Sequence, residues 1–254
     1  NFYGDINANE LKEKIALYNN TDKKFILTYN GSDAAVKAIC DTFIETGDKV
    51  LVREPVYTQP YVFVQSNGGE LVKFLGKNPF SYDLDIYKNK LNENYYKLVY
   101  IVNPNNPTGL LYKTDQIENL IKDYPETIFL IDEAYYEFAK VSCVNLVKKY
   151  HNLVITRTFS KAFSLAGLRM GYIITNSNIM QYLMKIYNGK ELNIIAQYSA
   201  QLILEEIDFV RNKVDQVKQT KIKFINYLKL NDIECISTPA NFILIKTVNP
   251  EKLV

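Results

Sequence analysis

The amino-acid sequence predicts an α/β fold with a doubly wound, mostly parallel sheet and helices on both of its faces. Two observations lead to this prediction. Short apolar segments rich in β-branched residues recur along the chain without polar alternation, which is typical of strands buried on both faces. Helical patterns lie between these segments, as the crossover connections of parallel strands require. The 254 residues suffice for one large α/β domain or two modest ones.

Five strands are predicted, and they cover residues 25–29, 49–52, 97–102, 127–131 and 152–156. After the first strand, a helix over residues 34–45 would place four apolar side chains on one face, namely Val36, Ile39, Cys40 and Phe43. After the third strand, a second helix would do the same with Ile117, Leu120, Ile121 and Tyr124. Each of these helices therefore has a face that can pack on the sheet.

The pattern changes after about residue 177. Long helical stretches continue to about Leu230, with a break at Asn188-Gly189, and a strand-like segment follows at Phe242–Lys246. The charge pattern of residues 205–223 suits a partly solvated helix that links two domains. We therefore expect a large domain with an N-terminal segment over residues 1–208, and the start of a small α/β domain over residues 209–254. Both ends of the sequence are abrupt, and we interpret it as a fragment of a longer chain.

The composition excludes several classes of protein. The sequence has 30 basic and 28 acidic residues, a balance that does not suit a nucleic-acid binder. No apolar run approaches the roughly 20 residues of a membrane span. The single histidine, His151, argues against a Ser-His-Asp triad. The three cysteines are scattered, which argues against a zinc site or a disulfide framework and favours the cytoplasm. Any catalysis must therefore use lysine, aspartate, tyrosine, arginine or a cofactor.

Polar residues follow four of the predicted strands, at the edge where open α/β sheets bind ligands. After residues 25–29 comes Asn30-Gly31-Ser32-Asp33, which predicts an anion site at a helix N-terminus. The alternative is a plain N-cap by Ser32 or Asp33. After residues 97–102 comes the segment 103–109, NPNNPTG, a stiff turn with amide groups to offer, or simply a loop.

An acid follows the next strand. Asp132 begins the segment Asp132-Glu133-Ala134-Tyr135, and an acid at the end of an apolar strand is costly unless it has a partner. It could cap the following helix, or it could face a cation. Since no second acid or histidine completes a metal site, we favour a protonated ring nitrogen over a metal ion.

The segment after residues 152–156 places hydroxyl groups and basic side chains among apolar residues. Thr158, Ser160 and Arg169 form a predicted phosphate-binding group. Lys161 lies between Phe159, Ala162 and Phe163, so burial and the charge of Arg169 are expected to lower its pKa. A lysine, an acid and a phosphate site at one sheet edge together indicate pyridoxal 5'-phosphate as cofactor.

These motifs resemble those of the fold-type I aminotransferases. The resemblance is carried by Asn105-Asn106-Pro107-Thr108-Gly109, by Asp132-Glu133-Ala134-Tyr135, and by Ser160-Lys161-Ala162-Phe163 with Arg169. The wording RTFSKAFSLAGLRMGY, with YNGSD and NFYGD ahead of it, is most similar to the histidinol-phosphate aminotransferase branch. The resemblance spans residues 2 to about 246 and implies the fold of type I PLP-dependent transferases, with a seven-stranded sheet.

The resemblance also implies the roles of single residues. Lys161 would hold the coenzyme as an aldimine and move the proton between Cα and C4′, while Asp132 would keep the ring nitrogen protonated. Asn106 and Tyr135 would bond to the 3′-oxygen, and Tyr57 would stack on the ring. The implied phosphate pocket consists of Ser32, Asp33, Thr158, Ser160 and Arg169. Tyr3 would reach the phosphate of the neighbouring subunit, so the resemblance implies a homodimer.

Two departures from the family pattern stand out. Ala34 takes the place of an acid that usually follows the Gly-Ser-Asp turn, which should leave the coenzyme contacts intact. The carboxylate-binding arginine of the family would come after Asn241-Phe242 and lie past residue 254. The residues that select the substrate are therefore expected to lie largely outside this sequence.

The main hypothesis is an aminotransferase that works by ping-pong half-reactions. A donor such as glutamate would supply the amino group, and a small, phosphorylated oxo compound such as imidazole acetol phosphate would receive it. A phospho-amino-acid decarboxylase of the same fold is the second enzymatic hypothesis, because the cofactor stabilises a carbanion whichever bond breaks. A ligand-sensing domain of a transcription regulator is a non-enzymatic alternative.

Overall fold

The structure is a computed structural model, and it describes residues 5–76, 78, 80–81 and 84–247. A seven-stranded sheet forms its centre. The strands are Ile26–Tyr29 (β1), Lys49–Glu54 (β2), Glu70–Leu75 (β3), Leu98–Val102 (β4), Ile128–Asp132 (β5), Leu153–Thr158 (β6) and Gly171–Thr175 (β7). Their order is β1-β7-β6-β5-β4-β2-β3, and β7 pairs antiparallel with both of its neighbours while the other pairs are parallel.

The helices of the described residues connect these strands and cover the sheet. They are Asn9–Tyr18 (α1), Ser32–Phe43 (α2), Gln59–Ser66 (α3), Asp85–Glu93 (α4), Thr114–Asp123 (α5), Tyr136–Ala139 (α6), Ser177–Ile186 (α7), Ile194–Glu205 (α8) and Ile207–Leu230 (α9). Strands Cys235–Ser237 (β8) and Ile243–Ile245 (β9) form a separate antiparallel hairpin. Within the described ranges, no helix is long and apolar enough to cross a membrane.

The side chains of the central strands alternate between two apolar cores. In β4, Val99 and Ile101 enter the core beneath α1, α4, α5 and α8, whereas Leu98, Tyr100 and Val102 enter the core beneath α2, α3 and α7. Burial on both faces explains why these strands read as continuous apolar runs. The predicted doubly wound α/β fold is therefore confirmed.

Three strands, namely β3, β7 and the short β8, and several helices were not predicted from the sequence pattern. Strand β3 lies at the edge of the sheet and most of its side chains are at least partly exposed, so it lacks a continuous apolar run. Strand β7 is buried throughout, but it is short and follows a segment of polar and apolar residues without a helical connection. Helices α1, α3 and α4 also add to the predicted elements.

The C-terminal part has the elements that the sequence indicates. The predicted break at Asn188-Gly189 falls on a short 3-10 helix between α7 and α8, and the predicted linking helix over 205–223 lies within residues 205–230, mainly in α9. The hairpin is anchored to α9, because Lys221 Nζ donates hydrogen bonds to the carbonyl oxygens of Thr238 and Ala240 at 2.5 and 2.6 Å. The division into domains at residue 208 stays a prediction.

Candidate active site

The predicted site residues meet at the carboxyl edge of the sheet. One cavity of about 220 Å³ is lined by every one of them that the structure describes, namely Ser32, Asp33, Tyr57, Asn106, Asp132, Tyr135, Thr158, Ser160, Lys161 and Arg169. Tyr3 lies outside the described residues. The cavity forms because the chain leaves β1, β2, β4, β5 and β6 at the same edge, as the parallel topology requires.

Asp132 ends β5 at the base of this cavity. Its side chain is buried, and each carboxylate oxygen accepts one hydrogen bond: Oδ1 from the Ala134 N–H and Oδ2 from the Tyr100 hydroxyl, both at 3.1 Å. Burial raises the pKa of Asp132 to about 6, although these two donors favour the charged form. The alternative role as a helix cap is wrong, since Tyr135 occupies the N-cap position of α6.

Tyr135 and Asn106 lie beside Asp132. The Tyr135 ring is buried and packs edge-on against Phe242 next to the hairpin, with ring centroids 5.4 Å apart. Burial raises the pKa of the Tyr135 hydroxyl, the charge of Asp132 adds to this effect, and the Asn106 amide opposes it. The hydroxyl therefore stays protonated and available as a hydrogen-bond donor near neutral pH.

The turn over residues 103–109 holds Asn106 in place. The Asn105 side-chain amide donates hydrogen bonds to the carbonyl oxygen of Pro55 at 2.9 Å and to Thr108 Oγ1 at 2.7 Å. Gly109 has a φ of +71°, and a Cβ there would collide with Thr238 near the hairpin. The turn is thus fixed from both sides and is more than a connecting loop.

The opposite end of the cavity is suited to an anion. Helix α2 begins at Ser32, and the N-cap position is occupied by Gly31, so no side chain caps the helix. The alternative of a cap by Ser32 or Asp33 is therefore wrong. The first N–H groups of a helix lack partners within the helix and favour negative charge. Gly31 has a φ of +87°, and a Cβ there would lie 2.7 Å from Arg169 Nη2. Glycine at this position therefore leaves room for the arginine beside the helix terminus.

Arg169 and Tyr57 both contact the Asp33 side chain. Arg169 Nη2 lies 3.3 Å from Asp33 Oδ2, and the Tyr57 hydroxyl donates to Asp33 Oδ1 at 3.1 Å. Partial burial, followed by the nearby Asp33 carboxylate, raises the pKa of Tyr57 to about 12. The Asp33 carboxylate thus orients an arginine and an aromatic ring at the mouth of the cavity.

Thr158 and Ser160 form the wall next to Arg169. Thr158 Oγ1 accepts a hydrogen bond from the Ser160 N–H at 3.1 Å, which shapes the turn between β6 and Lys161. Both residues line the cavity together with Arg169, as the predicted phosphate-binding group requires. Hydroxyl groups, a guanidinium and a helix N-terminus are a suitable set of donors for a phosphate.

Lys161 faces the cavity but is exposed. Its Nζ lies 5.5 Å from the centroid of the Tyr135 ring. Its apolar neighbours Phe159, Ala162 and Phe163 are themselves buried in the core that includes residues of α1. The expectation that these neighbours would bury the Lys161 side chain is therefore wrong, because they pack into the core while Lys161 stays exposed.

A buried ion pair beneath the cavity was not predicted as part of the site. Arg157 of β6 donates to Glu133 Oε2 from Nε at 3.0 Å and from Nη2 at 2.7 Å, and both side chains are almost fully buried. Arg157 Nη1 also donates to Asn19 Oδ1, and the Cys143 N–H donates to Glu133 Oε1. In the sequence, the signal that could have indicated this ion pair was a charged residue at the end of each of two apolar strands.

Tyr100 is the other residue that sequence reasoning missed. It lies within the predicted strand 97–102, and its hydroxyl is the side-chain donor to Asp132 in the described hydrogen bonds. A tyrosine within an aliphatic strand was the only signal in the sequence. The contact depends on the register of β4 against β5, which places Val102 beside Asp132.

The cavity fits pyridoxal 5'-phosphate. Asp132 is buried without an ion-pair partner among the described residues, so a cationic ring nitrogen would compensate its charge. The donors at the opposite end suit the phosphate, because Ser32, Thr158, Ser160 and Arg169 line the same cavity at the start of α2. No group of side chains that could hold a metal ion occurs within the described part of the chain.

The sequence matches known proteins over nearly its whole length. It is 36% identical to the dihydroxyacetone phosphate transaminase of Campylobacter jejuni subsp. jejuni, an alignment that covers 98% of this chain and 69% of that protein. It is 32% identical to the histidinol-phosphate aminotransferase of Ruminiclostridium cellulolyticum, over 100% of this chain and 72% of that protein.

Solved structures share the fold. The histidinol-phosphate aminotransferase of Sinorhizobium meliloti, solved in complex with pyridoxal-5'-phosphate, superposes with a TM-score of 0.90 at 24% identity, covering 96% of this chain and 67% of that one. The L-threonine-O-3-phosphate decarboxylase of Porphyromonas gingivalis gives a TM-score of 0.84 at 25% identity, and the superposition covers 99% of this chain and 79% of that one.

The family match agrees with the geometry of the cavity. The model of the family described as aminotransferase class I and II matches residues 1–254. The predicted resemblance to fold-type I aminotransferases is thereby confirmed, as is pyridoxal phosphate as the cofactor. The chain belongs to the class I and II aminotransferases, which are pyridoxal phosphate-dependent transaminases.

Proposed function

We propose that this aminotransferase moves an amino group from a donor such as glutamate to a small, phosphorylated oxo compound. The observation that carries the proposal is the shared cavity, in which Lys161, the buried Asp132 and the phosphate-binding group lie together. Both relatives described above carry a phosphorylated compound in their names, which supports a phosphorylated acceptor here.

The proposed chemistry divides between the cofactor and the protein. When bound, pyridoxal phosphate supplies an electron sink for the carbanion formed at the substrate Cα. Asp132 would stabilise a positive charge on the ring nitrogen, since its carboxylate is buried and has no ion-pair partner among the described residues. Lys161 would hold the cofactor through its amine, and the same amine would serve to move a proton at the substrate Cα. The exposure of Lys161 leaves its amine free to do both.

The remaining cavity residues position the cofactor. Tyr135 and Asn106 would donate hydrogen bonds to the 3′-oxygen, and Tyr57 at the cavity mouth would pack on the ring. Ser32 and Asp33 present backbone N–H groups to the phosphate at the start of α2. Thr158, Ser160 and Arg169 would also hold the phosphate, with Arg169 oriented by the Asp33 carboxylate.

An acceptor screen with the full-length enzyme tests the substrate class. With glutamate as donor, dihydroxyacetone phosphate and imidazole acetol phosphate are compared with unphosphorylated dihydroxyacetone. We expect a phosphorylated acceptor to give the higher kcat/KM by at least tenfold, because a bound phosphate receives several charge-assisted hydrogen bonds. Equal kcat/KM values with and without the phosphate would contradict the proposal.

Decarboxylation of a phospho-amino acid is the second candidate function. The similarity to the threonine phosphate decarboxylase supports it, as does the fact that the same lysine and acid would serve either reaction. Release of carbon dioxide from a phospho-amino acid, without formation of any oxo acid from amino donors, would favour this candidate over transamination.

We further propose that the enzyme is a cytoplasmic homodimer. Helix α8 exposes Ile195, Tyr198 and Leu202 on one face, with 66%, 56% and 63% of each residue accessible. An apolar stripe of this kind is typical of an interface. A second subunit would cover the stripe and would bring Tyr3 to the neighbouring phosphate. The described cysteines Cys40, Cys143 and Cys235 are unpaired, which suits a reducing compartment.

A further inference from the structure

Tyr100 lies directly beneath the carboxylate that ends the neighbouring strand. Even-numbered residues of β4 and β5 face the same core, so Tyr100 and Asp132 lie on one face of the sheet, with Val102 paired to Asp132 in the register. The Tyr100 hydroxyl lies 3.1 Å from Asp132 Oδ2. Both residues are buried, with 2% and 5% of their surfaces exposed. This hydrogen bond is therefore shielded from water.

We propose that Tyr100 is a positioning residue that holds the Asp132 carboxylate as an anion facing the ring nitrogen of the cofactor. The inference rests on the proposed role of Asp132. The Ala134 N–H fixes Oδ1 and the Tyr100 hydroxyl fixes Oδ2, so neither oxygen can rotate away without losing a buried hydrogen bond. A phenol donates a hydrogen bond without adding a positive charge. The full negative charge of Asp132 thus stays available for the cofactor.

The groups around Asp132 make such a donor necessary. Asp33 on α2 repels the negative charge of Asp132, and burial disfavours that charge as well. Tyr57 and Tyr135 face the same carboxylate, and Lys161 lines the cavity from the turn after β6. Asp33 is itself paired with Arg169, and among the side chains that oppose protonation of Asp132 the Tyr100 hydroxyl has a larger effect than Thr156.

Replacement of Tyr100 by Phe removes the hydroxyl and keeps the ring. The Asp132 Cγ resonance is followed against pH in cofactor-free protein labelled with [13C]aspartate and assigned by loss of the signal in Asp132→Asn. We expect Asp132 to bind a proton about tenfold more tightly in Tyr100→Phe, because the charged carboxylate loses its hydrogen bond from the hydroxyl. A tenfold change is about the strength of a hydrogen bond to a charged group. Tyr96→Phe is the matched control: Tyr96 is also buried, but it precedes β4 and lies about 13 Å from Tyr100 along the chain.

Binding of pyridoxal phosphate to the same proteins gives a second measurement. From a pKa of about 6 in the parent protein and tenfold tighter proton binding in Tyr100→Phe, we expect binding about fivefold weaker at pH 6 and nearly equal at pH 8. In an Asp132→Asn background, Tyr100→Phe should change binding by less than about twofold, because the carboxylate that it orients is gone.

Three outcomes would overturn the proposal. They are an unchanged Asp132 titration in Tyr100→Phe, an equal loss of cofactor binding in the parent and Asp132→Asn backgrounds, and an equal shift in the Tyr96→Phe control. The second outcome would identify Tyr100 as a packing residue only. Failure of the proposed role of Asp132 has a different signature, since Asp132→Asn would then keep full turnover while the titration of Asp132 still depended on Tyr100.

Discussion

At the residue scale, the site consists of a few groups whose chemistry is set by their surroundings. Asp132 is buried and holds two hydrogen bonds, whereas Lys161 is exposed and free to react. The two differ because one ends a central strand and the other lies on the turn after a strand. Substitution of each therefore has a distinct expected result.

Lys161→Ala should abolish turnover and the visible absorption that arises from the covalent link to the cofactor. Because Lys161 is exposed, the free energy of unfolding should change by no more than about 0.5 kcal/mol. Absorption spectra, turnover with glutamate and thermal unfolding check this, with Lys190→Ala at another exposed lysine as control. A Lys161→Ala enzyme that retains both activity and absorption would refute the assignment.

Asp132→Asn should impair catalysis while it stabilises the cofactor-free protein at alkaline pH. Burial raises the pKa of Asp132 from 3.8 to about 6, so the folded state binds the extra proton and the free energy of unfolding falls as pH rises through this range. At pH 8 the substitution should add about 3 kcal/mol, and below about pH 4 the gain should vanish. Urea unfolding at both pH values measures this. A gain that is equal at pH 3.5 and pH 8 would contradict the explanation.

At the scale of elements, β5 and β6 connect the cavity to the core. Asp132 and Thr158 end these strands on the cavity side, while Glu133 and Arg157 form the ion pair beneath. The ion pair joins the chain after β5 to the end of β6, just before the turn that carries Lys161. Its role is to hold the two strand ends together, and its loss should affect stability more than chemistry.

Glu133→Gln should destabilise the protein by about 3 kcal/mol, because it removes the carboxylate with which the buried Arg157 guanidinium is paired. For a domain of this size the melting temperature should fall by on the order of 10 °C. Glu126→Gln, at an exposed glutamate, should stay within about 0.5 kcal/mol of the parent. Calorimetry of both variants is the check, and equal melting temperatures would show that the ion pair does not stabilise the fold.

The sequence was sufficient for elements and residues whose signals are local. The apolar strands predicted the sheet, and the polar residues after them predicted the cavity, because parallel strands end at one edge. The contact of Tyr100 with Asp132 depends on strand register, and the direction of Phe159 and Phe163 depends on the turn around Lys161. Neither register nor turn geometry has a signature in residue order, so these features required the structure.

At the scale of the whole molecule, the exposed face of α8 predicts a second subunit. Leu202→Asp would place a charge in the proposed interface and should shift the full-length enzyme from dimer to monomer, with weaker retention of the cofactor. Leu17→Asp on α1 alters an exposed leucine outside this face and should leave the dimer intact. Sedimentation analysis distinguishes the two. A dimer that persists in Leu202→Asp would place the interface elsewhere.

We hold that the cavity binds pyridoxal phosphate for transamination, a claim that the first half-reaction tests on its own. Full-length enzyme saturated with cofactor is mixed with glutamate in the absence of any acceptor, and the absorption spectrum is followed together with 2-oxoglutarate. We predict loss of the visible absorption and formation of one 2-oxoglutarate per active site. A spectrum that stays unchanged with glutamate and every other amino donor, while a phospho-amino acid releases carbon dioxide, would contradict the claim.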